Sequence, residues 1–418
     1  MKTFLPANIL LPDFSKVDGT KWAVVACDQY TSEPEYWSEA DAIVGASPST
    51  LRITLPEVYL DETEKRVPII NAEMEKYLKD VLINSHESFI YLERTQANGK
   101  IRCGLMGMID LDEYDFNHGS SSLIRATEGT VLSRIPPRVK IRKDAPVELP
   151  HVLMLIDDPE KTVIEPLSSM REEMKKAYEF DLMLNGGHIC AYFVDTKHES
   201  KITDALEALI TPEAITKKYG GSFAPLLFAV GDGNHSLATA KTCYENLKSE
   251  IGAEEAAKTP AKYALVELEN LHDDTLEFEP IYRVVFGVDA NDIKKALLAY
   301  AKDLNGNESA QKVIVITKEG DEELIFEHPT AQLTVGTLQA FLDEYVKAHE
   351  GTEVDYIHGE DSLRKLASKE NAIGFLFDGM TKDQLFKTVI CDGALPRKTF
   401  SMGHANDKRY YLECRKIK

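Results

Sequence analysis

The residues best suited to chemistry lie in one short turn, Gly231-Asp232-Gly233-Asn234-His235-Ser236. The turn follows an apolar run at 225–230, and a helix-like run begins at Leu237. A glycine turn between a strand and a helix presents backbone N–H groups, and many proteins bind phosphate in this way. A carboxylate can act as a base or a metal ligand, and an imidazole titrates near neutral pH. We therefore predict catalytic roles for Asp232 and His235. The neighbouring residues predicted to bind the phosphate or other ligand are Gly231, Gly233, Asn234 and Ser236.

A purely structural role would explain part of this turn. Glycines supply a positive φ or a close backbone approach, and Ser236 is expected to cap the following helix. The pattern Gly-x-Gly-x-x-Ser also matches half of a dinucleotide-binding fingerprint. No clear carboxylate follows about 20 residues later at a strand end, so NAD binding is disfavoured. A structural turn needs a single capping residue. The additional titratable pair, Asp232 and His235, therefore favours a functional site.

A phosphate at this turn would need nearby cations, and the sequence has two basic segments. Residues 133–143 contain five basic residues and no acidic one, and residues 395–409 contain four more basic residues. Because the chain has a net charge of −21, such segments stand out as local anion sites. The simpler interpretation, two solvated surface segments, stays open. The residues predicted to approach the ligand are Arg134, Arg138, Arg142, Arg397, Lys398 and His404.

Composition and motif spacing exclude several other classes of protein. The net charge opposes nucleic-acid binding, and no apolar stretch reaches the roughly 18 residues of a membrane span. The six cysteines include no CxxC pair and the eleven histidines no HExxH motif, so neither a disulfide framework nor a zinc site is expected. We expect a cytoplasmic protein with a small anionic ligand, with homo-oligomerisation left open. No cofactor is certain, and Mg²⁺ would enter only with a nucleotide, held by phosphate oxygens and Asp232.

The elements that must position the turn are a mixture of strands and helices. Strands are predicted over 22–27, 150–156, 225–230, 263–268 and 372–377, hairpins over 89–109, 182–194 and 313–327, and helices over 62–82, 201–210, 291–303, 338–348 and 382–389. The frequent hairpins favour an α+β or mixed α/β fold, with helices packed on hairpin-rich sheets, over a doubly wound parallel sheet. The length predicts more than one packed unit. The predicted regions are 1–130, 131–288 with the turn, and 289–418.

Six segments together resemble the domain-of-unknown-function 1015 family. They are Cys27–Ser32 with Tyr36 and Trp37 shortly after it, Ile135–Arg138, Glu148–His151, Asp232–Ser236, Asp355–Gly359 and Leu395–Ser401. The chain is most similar to the branch with DGNHS where other members have DGHHR. The resemblance implies a core similar to the ParB/sulfiredoxin superfamily, in which the equivalent turn holds nucleotide phosphates and some relatives are kinases of small hydroxy compounds. Ser236 stands in place of the arginine and Asn234 in place of a histidine, so the cation must come from elsewhere.

Two hypotheses for the function follow. In the first, the chain is a kinase-like phosphotransferase that binds a nucleotide or another phosphate ligand at the turn. In the second, it is a non-catalytic ligand sensor or partner-binding protein with a degenerate nucleotide site. The serine at 236 fits the second hypothesis, whereas the pair of Asp232 and His235 fits the first.

Overall fold

The computed structural model describes residues 3–403 and 405–418. Strands and helices are mixed along the chain and form several sheets, so the predicted mixed α/β class is confirmed. Contacts divide the chain into two compact units. Unit 1 comprises the described residues up to Leu276 together with 405–418, and unit 2 comprises Glu277–Gly403.

All five helices predicted above are present. The α-helices of the described residues are α1 Gly19–Trp22, α2 Pro34–Val44, α3 Thr63–Asp80, α4 Ile135–Arg142, α5 Glu165–Met170, α6 Thr196–Ala208, α7 Pro212–Tyr219, α8 Asn234–Ile251, α9 Ala253–Ala256, α10 Ala290–Asp303, α11 Thr334–Ala348, α12 Glu360–Ala367 and α13 Lys382–Asp392. The predicted helices over 62–82, 201–210, 291–303, 338–348 and 382–389 correspond to α3, α6, α10, α11 and α13. None of the helices in the described part of the chain has the length and apolar character that a membrane span requires.

The strands are short and numerous. They are β1 Phe4–Leu5, β2 Ala7–Leu11, β3 Val24–Val25, β4 Asn84–Ser88, β5 Ile90–Thr95, β6 Ile101–Asp110, β7 Tyr114–Asp115, β8 Ile124–Ala126, β9 Val147–Glu148, β10 Leu153–Ile156, β11 Lys175–Leu182, β12 Gly187–Phe193, β13 Phe228–Asp232, β14 Tyr263–Asn270, β15 Phe278–Phe286, β16 Gln311–Thr317, β17 Gly320–Phe326, β18 Glu353–His358, β19 Ala372–Leu376, β20 Phe400–Met402, β21 Tyr410–Tyr411 and β22 Arg415–Lys416. The hairpins predicted over 89–109 and 313–327 are confirmed as β5–β6 and β16–β17. The hairpin predicted over 182–194 begins earlier, because its first strand is β11.

Unit 1 is built on a ten-stranded sheet that carries the predicted site. Its order is β11-β12-β5-β6-β14-β10-β13-β8-β7, and β1 pairs with β6. Strand β13 pairs antiparallel with β10 and parallel with β8. Its residues Phe228, Ala229 and Val230 are fully buried, as is typical of strands covered on both faces. The two units differ from the three predicted regions, since β8, before residue 130, pairs with β13, after it.

Unit 2 has its own sheet and its own core. The strand order is β17-β16-β19-β15-β18, and β20 pairs with β15. Val284, Ile316 and Leu363 are buried together between the sheet and its helices. A fully buried arginine, Arg283, donates hydrogen bonds to the Gln339 side chain at 2.8 Å and to backbone carbonyls of this unit. Buried charges need such partners, because leaving them unpaired is costly.

Residues 405–418 belong to the core of unit 1. Strand β21 pairs with β3, and β22 pairs with β9. The indole N–H of Trp22 donates to the carbonyl of Leu412 at 2.9 Å. The buried guanidinium of Arg409 forms ion pairs with Glu267 and Glu413, whose side chains are completely buried. The segment is therefore fixed by hydrogen bonds and by buried charges as well as by apolar packing.

The strand predicted over 22–27 is largely wrong. Helix α1 ends at Trp22, and within the segment only Val24–Val25 pair as a strand. The segment is nevertheless almost completely buried, with every residue from Trp22 to Ala26 at most 2% exposed. A short apolar run indicates burial but does not by itself distinguish a strand from another buried element.

Candidate functional site

The predicted strand, glycine turn and helix are confirmed around residues 231–236. Strand β13 ends at Asp232, Gly233 has φ 82°, and α8 begins at Asn234. This φ lies in the left-handed region, which glycine adopts without steric cost. A Cβ at Gly233 would also lie 3.1 Å from the Cα of Val152 on the neighbouring segment. The glycine thus allows an abrupt change of direction from the sheet into the helix.

The prediction that Ser236 caps the helix is wrong. The N-cap is Gly233, which has no side chain to donate or accept, and Ser236 is the third residue of α8. The carboxylate of Asp232 accepts a hydrogen bond from the N–H of Gly233 at 2.9 Å, one residue before the helix. Within the described chain, no side chain caps the N-terminus of this 18-residue helix. The positive end of the helix dipole and its free N–H groups are therefore available to an anion.

A lysine that was not among the predicted site residues lies beside the turn. The Nζ atom of Lys408 is 3.0 Å from Oδ2 of Asp232, and the two side chains are only 18% and 22% exposed. Lys408 lies in the predicted basic segment 395–409, so its charge was visible in the sequence. Its proximity to Asp232 could not be predicted from the sequence, because the two residues are far apart along the chain.

His235 is a half-buried imidazole next to the same helix end. Its Nε2 accepts a hydrogen bond from the N–H of Val131 at 3.4 Å. Burial lowers the pKa of His235 below its ordinary value of 6.5, and the charges of Arg138 and Arg134 lower it further, while Asp28 opposes the shift. The lowered pKa favours the neutral ring, and the nitrogen that accepts this hydrogen bond, Nε2, is then the unprotonated one. A neutral imidazole suits proton transfer better than it suits electrostatic binding of a phosphate.

The lowered pKa of His235 predicts a pH dependence of stability. The unfolded chain binds more protons than the folded chain below pH 6.5, so this histidine makes unit 1 less stable as the pH falls through that range. Replacing His235 with glutamine or asparagine should flatten the stability profile below pH 6.5. Urea unfolding can be followed by fluorescence of Trp22 and Trp37, which are both buried in unit 1. Profiles of both variants that run parallel to the wild type would contradict the assignment.

A second polar group, which the sequence analysis did not assign to the site, adjoins the turn. Nε2 of His151 lies 3.8 Å from Oδ2 of Asp28, and Nδ1 of His151 lies 2.9 Å from the hydroxyl of Tyr411. Burial would raise the pKa of Asp28, but His151, the Gln29 amide and Lys408 outweigh it, so that the pKa is lowered. Asp28 is thus an ionised carboxylate within reach of the charges around the turn.

The thiol behind this group is not a nucleophile. Sγ of Cys27 lies 3.0 Å from the hydroxyl of Tyr411. Burial, reinforced by the charge of Asp28, raises the pKa of Cys27 to about 12. Since the thiolate is the reactive form of cysteine, this thiol is inert at neutral pH. The sequence signal for this region was the pair of segments 27–32 and 148–151, which carry the family resemblance.

The predicted basic segment 133–143 is not simply a solvated strip. It forms α4, and the side chains of Arg138 and Arg142 are only 17% and 19% exposed. Arg138 forms an ion pair with Glu57, and Arg142 with Glu148. Arg134 is exposed and makes no ion pair with any residue that the structure describes. Arg134 and Arg138 are close enough to His235 to lower its pKa, so these two, together with Lys408, supply positive charge near the turn.

The remaining predicted cations are two residues of unit 2 and one residue that the structure does not describe. Arg397 and Lys398 belong to unit 2, where both guanidinium Nη atoms of Arg397 bind Asp343 and its Nε–H donates to the hydroxyl of Tyr356 at 2.6 Å. Lys398 has a positive φ of 56°, and its carbonyl accepts a hydrogen bond within unit 2. His404 lies outside the described residues. Ligand binding by these three residues stays a prediction.

No ready-made metal centre accompanies the turn. In the part of the chain that the structure describes, no group of three or more His, Cys, Asp or Glu is arranged to hold a metal ion. Asp232 and Asp28 are single carboxylates near the turn, which suits Mg²⁺ only if phosphate oxygens and water supply the other ligands. Binding of Mg²⁺ through Asp232 with a nucleotide stays a prediction.

Fold and turn together define a mixed α/β protein with an uncapped helix N-terminus beside paired acidic and basic side chains. The chain belongs to the family described as "Protein of unknown function (DUF1015)", whose family model matches residues 12–345. The family predicted from six short segments is therefore confirmed. No curated protein matches the chain.

Several solved structures are distantly similar. A conserved hypothetical protein from Pyrococcus furiosus is 12% identical, with a TM-score of 0.34, and 74% of this chain covers 94% of that one. A free serine kinase in complex with AMP is 11% identical, with a TM-score of 0.35, and 74% of this chain covers 90% of it. SbnI with a C-terminal truncation, from Staphylococcus aureus, is 9% identical, with a TM-score of 0.33. The match covers 73% of this chain and 82% of that one. At these scores no residue role is transferred. The predicted ParB/sulfiredoxin-like core stays a prediction.

Proposed function

We propose that this protein is a small-molecule phosphotransferase that binds a nucleotide or another phosphorylated compound at the 231–236 turn. One observation carries the proposal: α8 begins without a side-chain cap, beside charges of both signs. The uncapped helix end favours an anion. Lys408 and the exposed Arg134 supply cations near it, and Asp28, Asp232 and His235 supply acid and base groups.

Each side chain has a role that follows from its contacts. Lys408 would donate to a phosphate oxygen while it keeps its ion pair with Asp232, since an ammonium group has three donors. Nε2 of His235, whose hydrogen bond from Val131 is long, would accept the proton of a substrate hydroxyl. Asp28 and Asp232 are the carboxylates that would orient this hydroxyl or hold Mg²⁺, which supplies charge neutralisation at the phosphate oxygens when it is bound.

The proposed reaction is a simple displacement. The hydroxyl oxygen of the acceptor forms a bond to the terminal phosphorus of the donor, the bond from that phosphorus to the leaving oxygen breaks, and the hydroxyl proton passes to His235. Catalysis of this kind rests on positioning and electrostatic stabilisation. A positioned general base contributes about 10²–10⁴-fold to such rates.

A second candidate function is ligand binding without catalysis. The ion pairs of Arg138 with Glu57 and of Arg142 with Glu148 favour it. Two of the predicted cations are thereby partly neutralised, and less positive charge remains to offset the charge of a transition state. The two functions share the binding site and differ in whether product forms.

Replacing Lys408 with methionine should weaken binding of a phosphate ligand by roughly 10- to 100-fold, because it removes a charge-assisted hydrogen bond worth about 1.5–3 kcal/mol. The measurement is a thermal-shift screen of the full chain with nucleotides, sugar phosphates and amino acids, each with and without Mg²⁺. A ligand at about 100 times its Kd stabilises the wild type by roughly 2.7 kcal/mol, which gives a clear shift. Product formation with hydroxy compounds then separates the enzyme from the sensor.

The matched control is Lys140→Met. Lys140 lies in the same basic segment as the predicted arginines, but it is exposed and pairs with the exposed Glu64 at 3.0 Å. This variant should bind every phosphate ligand as the wild type does. Equal losses in both variants would indicate that net charge, and not the turn, attracts the ligand. The absence of any shift in the wild type would overturn the proposed function.

A further inference from the structure

A cavity of about 140 Å³ lies behind the candidate site in unit 1. Ser236, from the turn, and Thr239, one turn further along α8, form one side of it. His151, from the second polar group of the site, and Cys27, from behind that group, also line it. The cavity therefore borders the turn at which the phosphate ligand is proposed to bind.

The rest of the cavity wall is mainly apolar. The aliphatic residues that line it are Ile53, Leu55, Leu60, Ile70, Met74, Ile141, Ala145, Val147 and Leu149. Apolar cavities of about 150 Å³ stay dry and take up benzene, which has the size of a compact group of about six carbon atoms. The volume and the lining thus suit a hydrocarbon group better than a chain of bound water molecules.

The charged residues at the cavity satisfy one another. Arg138 pairs with Glu57, and Arg142 pairs with Glu148, which also accepts a hydrogen bond from Arg415 at 2.7 Å. The pKa of Cys27 is raised, so its thiol adds no charge. An occupant with its own charge would disturb one of these largely buried pairs, which is costly. The chemistry of the wall therefore selects an uncharged group.

We propose that this cavity is a substrate subsite that takes up a compact, uncharged hydrocarbon group of about six carbon atoms, whose polar end reacts at the 231–236 turn. The preferred substrate is then an amphiphile, with a branched aliphatic or aromatic group joined to a hydroxyl or phosphate. The assignment of the hydrocarbon group to the substrate rests on the proposed function. The uptake of a hydrocarbon by the cavity is independent of the proposed function.

The first experiment tests the cavity alone with fluorobenzene, observed by ¹⁹F NMR. The wild type should bind it saturably. Ala145→Leu, which fills the cavity from a nearly buried wall position, should weaken binding at least tenfold. Ala208→Leu changes an exposed alanine of α6 that is not part of the wall, and it should bind as the wild type does. If Ala145→Leu does not fold, Ile141→Phe makes the same test from a half-buried position. No binding to the wild type, or equal binding to all folded variants, would overturn the proposal.

The second experiment tests the link to the turn with phenyl phosphate and methyl phosphate. The wild type should bind phenyl phosphate at least tenfold more tightly, and Ala145→Leu should abolish this preference. Lys408→Met should weaken both esters without changing their ratio. Equal affinities for the two esters would overturn the subsite while leaving phosphate binding intact. Binding of fluorobenzene without binding of either ester would show that the proposed function itself has failed.

Discussion

Replacing Asp232 with asparagine is expected to lower phosphoryl transfer by about 100-fold or more while the protein stays folded. Asparagine keeps an oxygen that can accept the hydrogen bond from the N–H of Gly233, but it loses the charge that holds Lys408 and would bind Mg²⁺. The lost ion pair is partly exposed, so the cost in stability should be only about 0–1 kcal/mol. The loss in rate should resemble that of other catalytic groups, about 10²–10⁴-fold.

The measurement compares product formation and the unfolding midpoint in urea for the same preparation. Asp204→Asn is the control, because Asp204 is an exposed residue of α6. It should change neither quantity. If Asp232→Asn unfolds far below the wild type while its folded fraction retains full ligand binding and turnover, the turn is a structural element and the functional assignment is wrong.

Replacing Arg409 with methionine is expected to cause the largest loss of stability, about 3–5 kcal/mol. Arg409 is 1% exposed and pairs with Glu267 and Glu413, neither of which has any contact with solvent. Methionine fills much of the same volume but leaves the two carboxylates without this partner. Removing one member of a buried ion pair is far more destabilising than replacing the whole pair with apolar residues, because the remaining charge stays desolvated without its partner.

Urea unfolding followed by tryptophan fluorescence measures this loss in unit 1, which contains both tryptophans of the chain. Arg66→Met is the matched control. Arg66 pairs with Glu62 at 3.0 Å, but both side chains are about 40% exposed, and its loss should cost about 1 kcal/mol or less. A change of similar size in the two variants would show that the buried network contributes little to the stability of unit 1.

The local part of the candidate site could be predicted from the sequence. The apolar run before Gly231 and the helical run after Ser236 are consecutive, so local pattern alone indicated the strand, the turn and the helix. The exact start of the helix was not predictable in this way. The positive φ of Gly233 lets α8 begin at Asn234, which moves Ser236 inside the helix and removes its role as a cap.

The long-range part of the site could not be predicted. Asp28 and His151 meet through the packing of segments more than a hundred residues apart, and no local pattern encodes such a contact. Lys408 and Arg409 are neighbours in one basic segment, yet one contacts Asp232 and the other enters the core. The two residues follow a 3₁₀ turn at Ala405–Asp407, where no regular periodicity fixes the side that each side chain faces, so charge counting alone could not separate the two.

Unit 1 is interrupted in the chain by unit 2, and this has a consequence for biosynthesis. A ribosome makes residues 405–418 only after the whole of unit 2. Until then the nascent chain lacks the carbonyl of Leu412 that binds Trp22, the guanidinium that pairs with Glu267, and the ammonium group beside Asp232. A stalled or truncated translation product would thus present the glycine turn without its lysine, and the proposed phosphate site would be complete only when residues 405–418 have left the exit tunnel.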